Sequence, residues 1–195
     1  RYYRDEQDVA SLIQQRLQPV DDLDLEQLNE DLGRWTSVIE GPDWQKVAVA
    51  VALSRQFAVI SGGPGTGKTT IVLSMLNSLQ QQSPELHIGL AAPTGKAAAR
   101  LQQSISTQHA YEVKTLHRLL GITEHNDQGR YHAERPLPLD VLIIDEASMI
   151  DISLMAKLMR ALSPSARLIL LGDSQQLASV ESGAVLANLS DEQQG

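Results

Sequence analysis

The chain contains Gly62-Gly63-Pro64-Gly65-Thr66-Gly67-Lys68-Thr69, which fits the pattern G-x-x-x-x-G-K-[ST] at every fixed position. The apolar run Phe57–Ser61 precedes it, and a helical pattern extends from Lys68 to about Gln82. Glycines allow consecutive backbone N–H groups to curl around phosphate oxygens, and the N-terminus of the following helix adds partial positive charge. A strand, a glycine-rich loop and a helix in this order predict a phosphate-binding loop in an α/β domain.

Single residues of this loop have separate expected tasks. We expect the backbone from Gly62 to Gly67, together with Thr70 in the first helical turn, to surround the phosphates of a nucleotide. The ammonium group of Lys68 can reach the β- and γ-phosphates, which makes it a candidate catalytic group. The hydroxyl group of Thr69 is a candidate ligand of Mg²⁺.

A pair of acids at the end of a second apolar run completes the predicted site. Val141-Leu142-Ile143-Ile144 is a continuous aliphatic run, and Asp145 and Glu146 follow it directly. We expect this strand to neighbour the strand before the phosphate loop, so that Asp145 holds Mg²⁺ and Glu146 orients and deprotonates the attacking water. A single acid would fit a switch-type GTPase or a kinase-like transferase. The adjacent pair favours ATP hydrolysis, with ATP and Mg²⁺ as the bound groups.

Strand and helix patterns alternate along the chain from Asp43, a predicted helix N-cap. This alternation predicts an α/β fold in which helices cover both faces of a parallel sheet. The predicted strands are Phe57–Ser61, His87–Ala92, Val141–Asp145 and Arg167–Leu171, and the predicted helices run from Asp43 to about Ser54, from Lys68 to about Gln82, from Gly95 onward and over Ile152–Leu162.

Three stretches lie outside this alternation. Gln102–Lys114 is polar and is expected to form a loop, and Gly121–Pro138 contains the turn signal Asp127-Gln128-Gly129, which predicts an inserted β-hairpin. The first forty residues are rich in Asp, Glu, Gln and Leu, and Gly41-Pro42 follows them as a boundary signal. We therefore expect a small helical N-terminal segment over residues 1–41 and a second domain over residues 42–195. The helices of the N-terminal segment are predicted from apolar residues at helical spacing, namely Leu12, Ile13 and Leu17, then Leu25, Leu28 and Leu32.

Composition and charge exclude several classes of protein. No apolar run approaches the ~18–20 residues that a membrane span needs. The chain has no cysteine, which excludes disulfides, thiolate metal sites and a thiol nucleophile. The net charge is −8, whereas a protein that grips nucleic acid over its whole surface is usually basic, so nucleic-acid binding requires a local groove.

Five segments stand out along the chain, in this order: Asp43-Trp44-Gln45-Lys46, Ala91-Ala92-Pro93-Thr94-Gly95-Lys96-Ala97-Ala98, Thr115-Leu116-His117-Arg118-Leu119-Leu120, Asp145-Glu146-Ala147-Ser148-Met149 and Leu171-Gly172-Asp173-Ser174-Gln175-Gln176-Leu177. They resemble the motifs of superfamily 1 helicases in the same order. Their residues are most similar to those of the RecD family, the α subunits of exonuclease V, and the resemblance extends from about Gly41 to Leu189.

The resemblance implies a RecA-like P-loop NTPase sheet, ATP hydrolysis and 5′→3′ translocation on single-stranded DNA during recombinational repair of double-strand breaks. It implies that Gln45 reads the adenine edge and that Gln176 senses the γ-phosphate as a further catalytic residue. Partners would be RecB- and RecC-like subunits in a heterotrimer in the bacterial cytoplasm, without membrane contact. Residues implied to bind DNA are Pro93, Thr94, Lys96, Arg100, Thr115 and His117, with positive charge also from Arg118.

Two other functions remain open at this point. The chain can be a nucleotide-gated assembly or regulatory subunit, which its acidic surface mildly favours. It can also belong to another superfamily 1 branch, such as the conjugative relaxase helicases or an RNA or viral helicase. Because the chain begins at Arg1 and ends in polar residues, we interpret it as a fragment covering the first motor domain. Lacking the second domain with its arginine finger, that fragment is expected to bind nucleotide weakly and hydrolyse it very slowly.

Overall fold

The computed structural model describes residues 2–20, 25–34, 43–63, 65–106, 108 and 110–173. Helices and strands alternate over most of these ranges, and a short 3-10 helix spans Ala147–Met149. The α-helices are Tyr2–Gln14 (α1), Leu25–Arg34 (α2), Trp44–Ser54 (α3), Lys68–Gln82 (α4), Gly95–Ile105 (α5), Leu116–Leu120 (α6) and Ile152–Ala161 (α7). The strands are Phe57–Ser61 (β1), Ile88–Ala92 (β2), Val113–Thr115 (β3), Val141–Ile144 (β4) and Arg167–Gly172 (β5).

All five strands run parallel in one sheet with the order β1-β5-β4-β2-β3. Strand β5 pairs with β1 up to Ser61↔Gly172 and with β4 up to Ile144↔Leu170. The acid-bearing strand β4 is therefore separated from β1 by β5, and the expectation that these two strands are neighbours is wrong. Because parallel strands end at a common edge, the loops after β1, β4 and β5 still converge on one side of the sheet.

The sheet has a hydrophobic core on each face, as the predicted fold class requires. Leu142 and Ile144 of β4 pack into the core formed with α1, α6 and α7. Val141 and Ile143 of the same strand pack into the core formed with α3, α4 and α5. Successive residues of a strand point to opposite faces, so a continuous aliphatic run is what a doubly covered strand needs. In the described part of the chain, no helix has the length and hydropathy to span a bilayer.

Helix α1 packs against α7 and contributes to the core of the α/β sheet. Val9 and Ile13 are almost completely buried in the cluster that also contains the α7 side chains. The guanidinium of Arg16 donates hydrogen bonds to the carbonyl oxygens of Leu162 and Ser163, at 3.1 and 3.0 Å. Burial lowers the pKa of Arg16, and these carbonyls at the C-terminal end of α7 offset part of that cost. The division at residue 41 stays a prediction, but α1 shares its core with the sheet.

Most of the predicted helices and strands are confirmed. Asp43 caps α3 as expected, because its carboxylate accepts hydrogen bonds from the backbone N–H groups of Gln45 and Lys46. The two N-terminal helices are present, although α1 ends at Gln14 and leaves Leu17 exposed beyond it. The boundary signal Gly41-Pro42 lies outside the described residues.

The prediction of a loop over Gln102–Lys114 is wrong at both of its ends. Helix α5 continues to Ile105, which is fully buried. Strand β3 begins at Val113 and pairs with β2 from Leu90↔Val113 to Ala92↔Thr115. A three-residue strand at the edge of a sheet carries too short a pattern to be recognised in sequence.

The predicted hairpin in Gly121–Pro138 is also wrong. This segment contains two tight turns, each closed by an isolated antiparallel bridge, Thr123↔Asn126 and His132↔Arg135. Leu137 is the buried apolar residue that fixes the segment, and its N–H donates to the carbonyl of Ala161. The prolines on either side of Leu137 have no N–H to donate to a strand ladder, which explains why paired strands do not form.

The packing of α1 predicts that its apolar side chains stabilise the whole domain. Ile13→Ala is expected to lower the free energy of unfolding by about 2–5 kcal/mol, because it leaves a cavity in the core. Leu17→Ala is the control, since Leu17 is 57% exposed, and it should change stability little. Urea unfolding followed by circular dichroism measures both variants. Equal, small effects would show that α1 is not part of this core.

Candidate functional site

The loop between β1 and α4 has the backbone of a phosphate-binding loop. The N–H of Gly62 donates to the carbonyl oxygen of Gly172 at 3.0 Å, which ties the start of the loop to β5. The hydroxyl of Thr66 donates to the carbonyl of Gly63 at 2.9 Å and closes the turn. Gly65 and Gly67 have φ angles of 77° and 81°, in the left-handed region that favours glycine. Pro64 lies outside the described residues.

Gln45 lies directly over this loop. Its side-chain amide nitrogen donates to the carbonyl oxygen of Thr66 at 3.1 Å. Gly67 leaves the room for this side chain, because a Cβ atom built there would lie 2.2 Å from that nitrogen. Gln45, in the first turn of α3 after the Asp43 cap, therefore lies beside the phosphate loop. Its implied role in binding adenine stays a prediction.

The ammonium of Lys68 lies inside the curve of the loop. Its Nζ donates to the carbonyl oxygens of Gly62 and Gly63, at 2.5 and 3.0 Å. Lys68 is also the first residue of α4, whose next two residues, Thr69 and Thr70, are exposed. The cation, the free N-terminal N–H groups of α4 and a hydroxyl side chain are thus grouped at one point.

The acid pair begins at the carboxyl end of β4. The N–H of Asp145 donates to the carbonyl of Ala91 on β2 at 3.0 Å, and its Oδ1 accepts from the N–H of Glu146 at 2.9 Å. Burial raises the pKa of Asp145, while the hydrogen bond from Glu146 and the positive charge of Lys68 act in the opposite direction. Lys68 and Asp145 thus lie close enough for their charges to interact, although β5 separates their strands.

Glu146 has an unusual backbone conformation. Its φ of 55° is the one positive value for a non-glycine residue in the described part of the chain. The left-handed region costs a residue with a Cβ about 1–2 kcal/mol. The turn carries the chain from β4 into the 3-10 helix Ala147–Met149, and it fixes the backbone position from which the candidate catalytic side chain extends.

Two polar residues at this edge received no role from the sequence. Asp173 follows β5, is 7% exposed and lies in order between the phosphate loop and Asp145. Ser148 is also 7% exposed, and its hydroxyl has no hydrogen-bond partner among the described residues. The position of Asp173, directly after a buried strand, is the same signal that identified Asp145. Gln176, the predicted γ-phosphate sensor, lies outside the described residues.

The predicted DNA-binding residues lie at the other end of the same edge, after β2 and β3. The side chains of Thr94 and Thr115 cap α5 and α6, accepting from the N–H groups of Ala97 at 3.2 Å and Arg118 at 3.3 Å. The register pair Ala92↔Thr115 brings the two segments together. The other members are half-buried Pro93 and exposed Lys96, Arg100 and His117.

The loop and the acid pair fit a nucleotide with a divalent cation. A Cβ atom at Gly63 or Gly65 would meet no other atom within 4 Å, so this part of the loop is open to a phosphate group. The hydroxyl of Thr69 and the carboxylate of Asp145 are oxygen donors, which Mg²⁺ prefers. A Rossmann-type dinucleotide fingerprint is absent from the loop, whereas every fixed position of the phosphate-loop pattern is present.

The comparisons with known proteins agree with this geometry. A family model described as an AAA domain matches residues 45–182. The chain is 52% identical over 168 residues to the RecBCD enzyme subunit RecD of Haemophilus influenzae. This alignment covers 77% of the chain and 26% of that protein. It is 41% identical over 136 residues to the ATP-dependent RecD2 DNA helicase of Deinococcus radiodurans, covering 69% of the chain and 18% of that protein. The resemblance to RecD proteins is confirmed.

Solved structures support the fold. The UvsW helicase of bacteriophage T4 is similar with a TM-score of 0.57 and 11% identity, covering 87% of this chain and 65% of that one. At this identity the likeness concerns the fold alone. The RecA-like parallel sheet with helices on both faces is confirmed, and it is a nucleotide-binding fold. The chain spans only 26% of the length of the Haemophilus relative, so what that whole protein does is a separate question.

The conformation of Gly67 generates the first prediction for this site. In the natural full-length protein, Gly67→Ala is expected to weaken nucleotide binding about tenfold. The substitution places a Cβ at a φ of 81° and against the amide of Gln45, which costs about 1–2 kcal/mol and distorts the loop. Titration with a fluorescent ATP analogue measures the affinity. Gly33→Ala in α2 is the control, since open space surrounds that position. Equal affinities for the two variants would contradict the loop geometry.

The burial of Asp145 generates a pH-dependent prediction. Its pKa in the folded protein lies above the ordinary 3.8, so the folded state holds more protons than the unfolded state in the pH window above 3.8. Stability therefore falls as pH rises through that window. Asp145→Asn keeps the oxygen that accepts from Glu146 but removes the charge, and we expect it to raise the nucleotide-free melting temperature at about pH 7 more than at about pH 4.

Melting curves at the two pH values test this expectation, with Glu134→Gln, an exposed acid outside the site, as the matched control. The control should show no comparable dependence on pH. A melting temperature for Asp145→Asn that is lower than that of the natural protein at about pH 7 would show that the carboxylate charge stabilises the nucleotide-free fold.

Proposed function

The chain belongs to the AAA domain family, and on that premise we propose that it is the ATP-hydrolysing motor domain of a RecD-type DNA helicase. The observation that carries the proposal is that the phosphate loop with Lys68 and the acid pair follow parallel strands that end at one edge of the sheet, on either side of β5. A module that only holds partner proteins needs no acid pair there. Both Asp145 and Glu146 are accordingly assigned to hydrolysis.

In the proposed complex with ATP, the chain's residues bind and orient the nucleotide. Lys68 exchanges its bonds with the carbonyls of Gly62 and Gly63 for bonds to phosphate oxygens. The backbone N–H groups from Gly65 to Thr70 surround the phosphates at the start of α4. Gln45, already held beside the loop, hydrogen-bonds the adenine edge, and Gln176 contacts the γ-phosphate.

The hydrolytic step then depends on the acid pair. Thr69 and Asp145 would hold Mg²⁺, which would supply positive charge to offset the negative charge of the phosphates. Glu146 accepts a proton from the water that attacks the γ-phosphorus. The bond from that phosphorus to the β-phosphate oxygen breaks, which releases ADP and phosphate. The fixed turn at Glu146 supports this role, because a base must be positioned before it can act.

We assign single-stranded DNA to the opposite end of the same edge. Hydroxyl groups and helix N-terminal N–H groups at Thr94 and Thr115 suit phosphate oxygens, and Lys96, Arg100 and His117 add exposed donors. Contacts of this kind read the backbone and not the bases, as a sequence-independent translocase requires. This local grouping of cations is compatible with a net charge of −8 over the whole chain.

Assembly with RecB- and RecC-like subunits is the partner assignment that we propose. It rests on the similarity to the subunit named RecD in the RecBCD enzyme. Translocation from 5′ to 3′ and a part in double-strand break repair belong to the same assignment. The chain is also similar to a RecD2 helicase, so the alternative is a protein that acts without such partners. A pull-down with RecB and RecC proteins tests the assignment, and failure to bind them would favour that alternative.

Two substitutions separate binding from hydrolysis in the natural full-length protein. Lys68→Ala is expected to abolish DNA-stimulated ATPase activity, because it removes the charge that compensates the phosphates. Glu146→Gln is expected to keep ATP binding and lose hydrolysis, because the amide cannot accept the proton from water. Steady-state phosphate release and nucleotide titration measure the two properties.

Lys157→Ala is the control for the lysine substitution, because Lys157 pairs with Asp127 away from the site, at 2.7 Å. It should retain activity. Unchanged turnover in Lys68→Ala would refute the site, and equal loss of binding and hydrolysis in Glu146→Gln would show a structural role. Stimulation of ATPase activity by RNA but not by DNA would identify an RNA helicase. Stimulation by neither would favour an assembly module.

A further inference from the structure

An ion cluster lies at the DNA-facing end of the sheet, beside β3. The carboxylate of Glu112 contacts Lys114 through Oε2 and Arg118 through Oε1, both at 3.3 Å. The side chains of Lys114, Glu112 and Arg118 are 38%, 56% and 70% exposed. One carboxylate thus holds two cations, one with each oxygen, and all three groups remain accessible to solvent.

The backbone on both sides of Glu112 is fixed by one side chain of α5. The amide of Gln102 donates to the carbonyl oxygen of Tyr111 at 3.0 Å, and it accepts from the N–H of Val113 at 2.7 Å. Val113 is itself buried in the core below the sheet. The backbone at Glu112 is therefore held in place, and its carboxylate extends from a fixed position.

The two cations held by Glu112 are adjacent to the residues proposed to bind DNA. Lys114 directly precedes Thr115, and Arg118 donates its backbone N–H to the hydroxyl of Thr115. Lys96 and Arg100, on the neighbouring helix α5, have no ion-pair partner among the described residues. Two of the four cations at this end are thus available to an anion, and two are already engaged by a carboxylate.

We propose that Glu112 competes with nucleic-acid phosphates for Lys114 and Arg118, holding both cations until single-stranded DNA displaces it. This inference rests on the proposed function of the surface as a DNA-binding site. The proposal adds two residues to that surface. Lys114 becomes a phosphate contact, and Glu112 becomes the group that weakens this contact.

The exchange is possible because the internal ion pairs are weak. Exposed pairs contribute little to stability and are screened by salt, so their cations are transferable to another anion. A phosphodiester presents two oxygens and one negative charge, as the carboxylate does, and Arg118 can bind either anion through its planar fork. A translocating motor has to release each phosphate that it binds, and a fixed internal competitor lowers the affinity without removing the cations.

The test compares Glu112→Gln with the natural full-length protein, using an oligo-dT strand at several salt concentrations. We expect the affinity for the strand to rise roughly two- to tenfold at about 0.1 M salt, the range that two released surface pairs allow. The gain should shrink as salt rises, because salt screens the ion pairs that Glu112 makes in the natural protein and so relieves the competition.

Two further variants make the result decisive. Glu85→Gln carries the same change of charge, but it lies before β2, at the opposite edge of the sheet, and it should leave the affinity unchanged. Adding Lys114→Gln and Arg118→Gln to Glu112→Gln should abolish the gain. Equal affinities for Glu112→Gln and Glu85→Gln, or a gain that survives loss of both cations, would overturn the competition. Failure of the natural protein to bind the strand would instead overturn the proposed DNA-binding function.

Discussion

The insertion of β5 between β1 and β4 is the constraint on which the candidate site depends. Its pairing on both sides fixes how far the loop after β1 and the turn after β4 lie from each other. The hydrogen bond from Gly62 to Gly172 extends this pairing one residue beyond the strand and into the phosphate loop. Because every described strand is parallel, the residues that follow the strands lie together at this edge, while both faces of the sheet pack against apolar side chains.

The same arrangement places a carboxylate where its charge is costly. Burial of Asp145 opposes ionisation, and the nearby ammonium of Lys68 and the N–H of Glu146 recover only part of that cost. The left-handed turn at Glu146 adds backbone strain at the next residue. Two unfavourable features in succession are difficult to explain as a stabilising end of a strand. They are understandable where a negative charge is held ready for a cation and for the proton of a water molecule.

Sequence reasoning succeeded where structure is determined by residues a few positions apart. The strand, loop and helix around Gly62–Thr69 and the Asp43 cap follow from local sequence patterns, and both were predicted. It failed where structure is determined by distant residues. The position of β5 depends on pairing with strands that are far away in the chain, and the burial of Arg16 depends on carbonyls near residue 162. The short strand β3 has too few residues to produce a pattern, and its ion cluster with Glu112 was missed for the same reason.

The order of the strands also suggests how nucleotide and DNA can influence each other. The N–H of Asp145 bonds the carbonyl of Ala91, and three residues later Thr94 caps α5 at the proposed DNA surface. A movement of the acid pair therefore acts on β2 through a direct hydrogen bond, without passing through the hydrophobic cores. On the other side, β5 connects the acid pair to the phosphate loop through continuous pairing. The acid-bearing strand β4 therefore lies between the two proposed binding surfaces, with direct hydrogen bonds to the strand on each side of it.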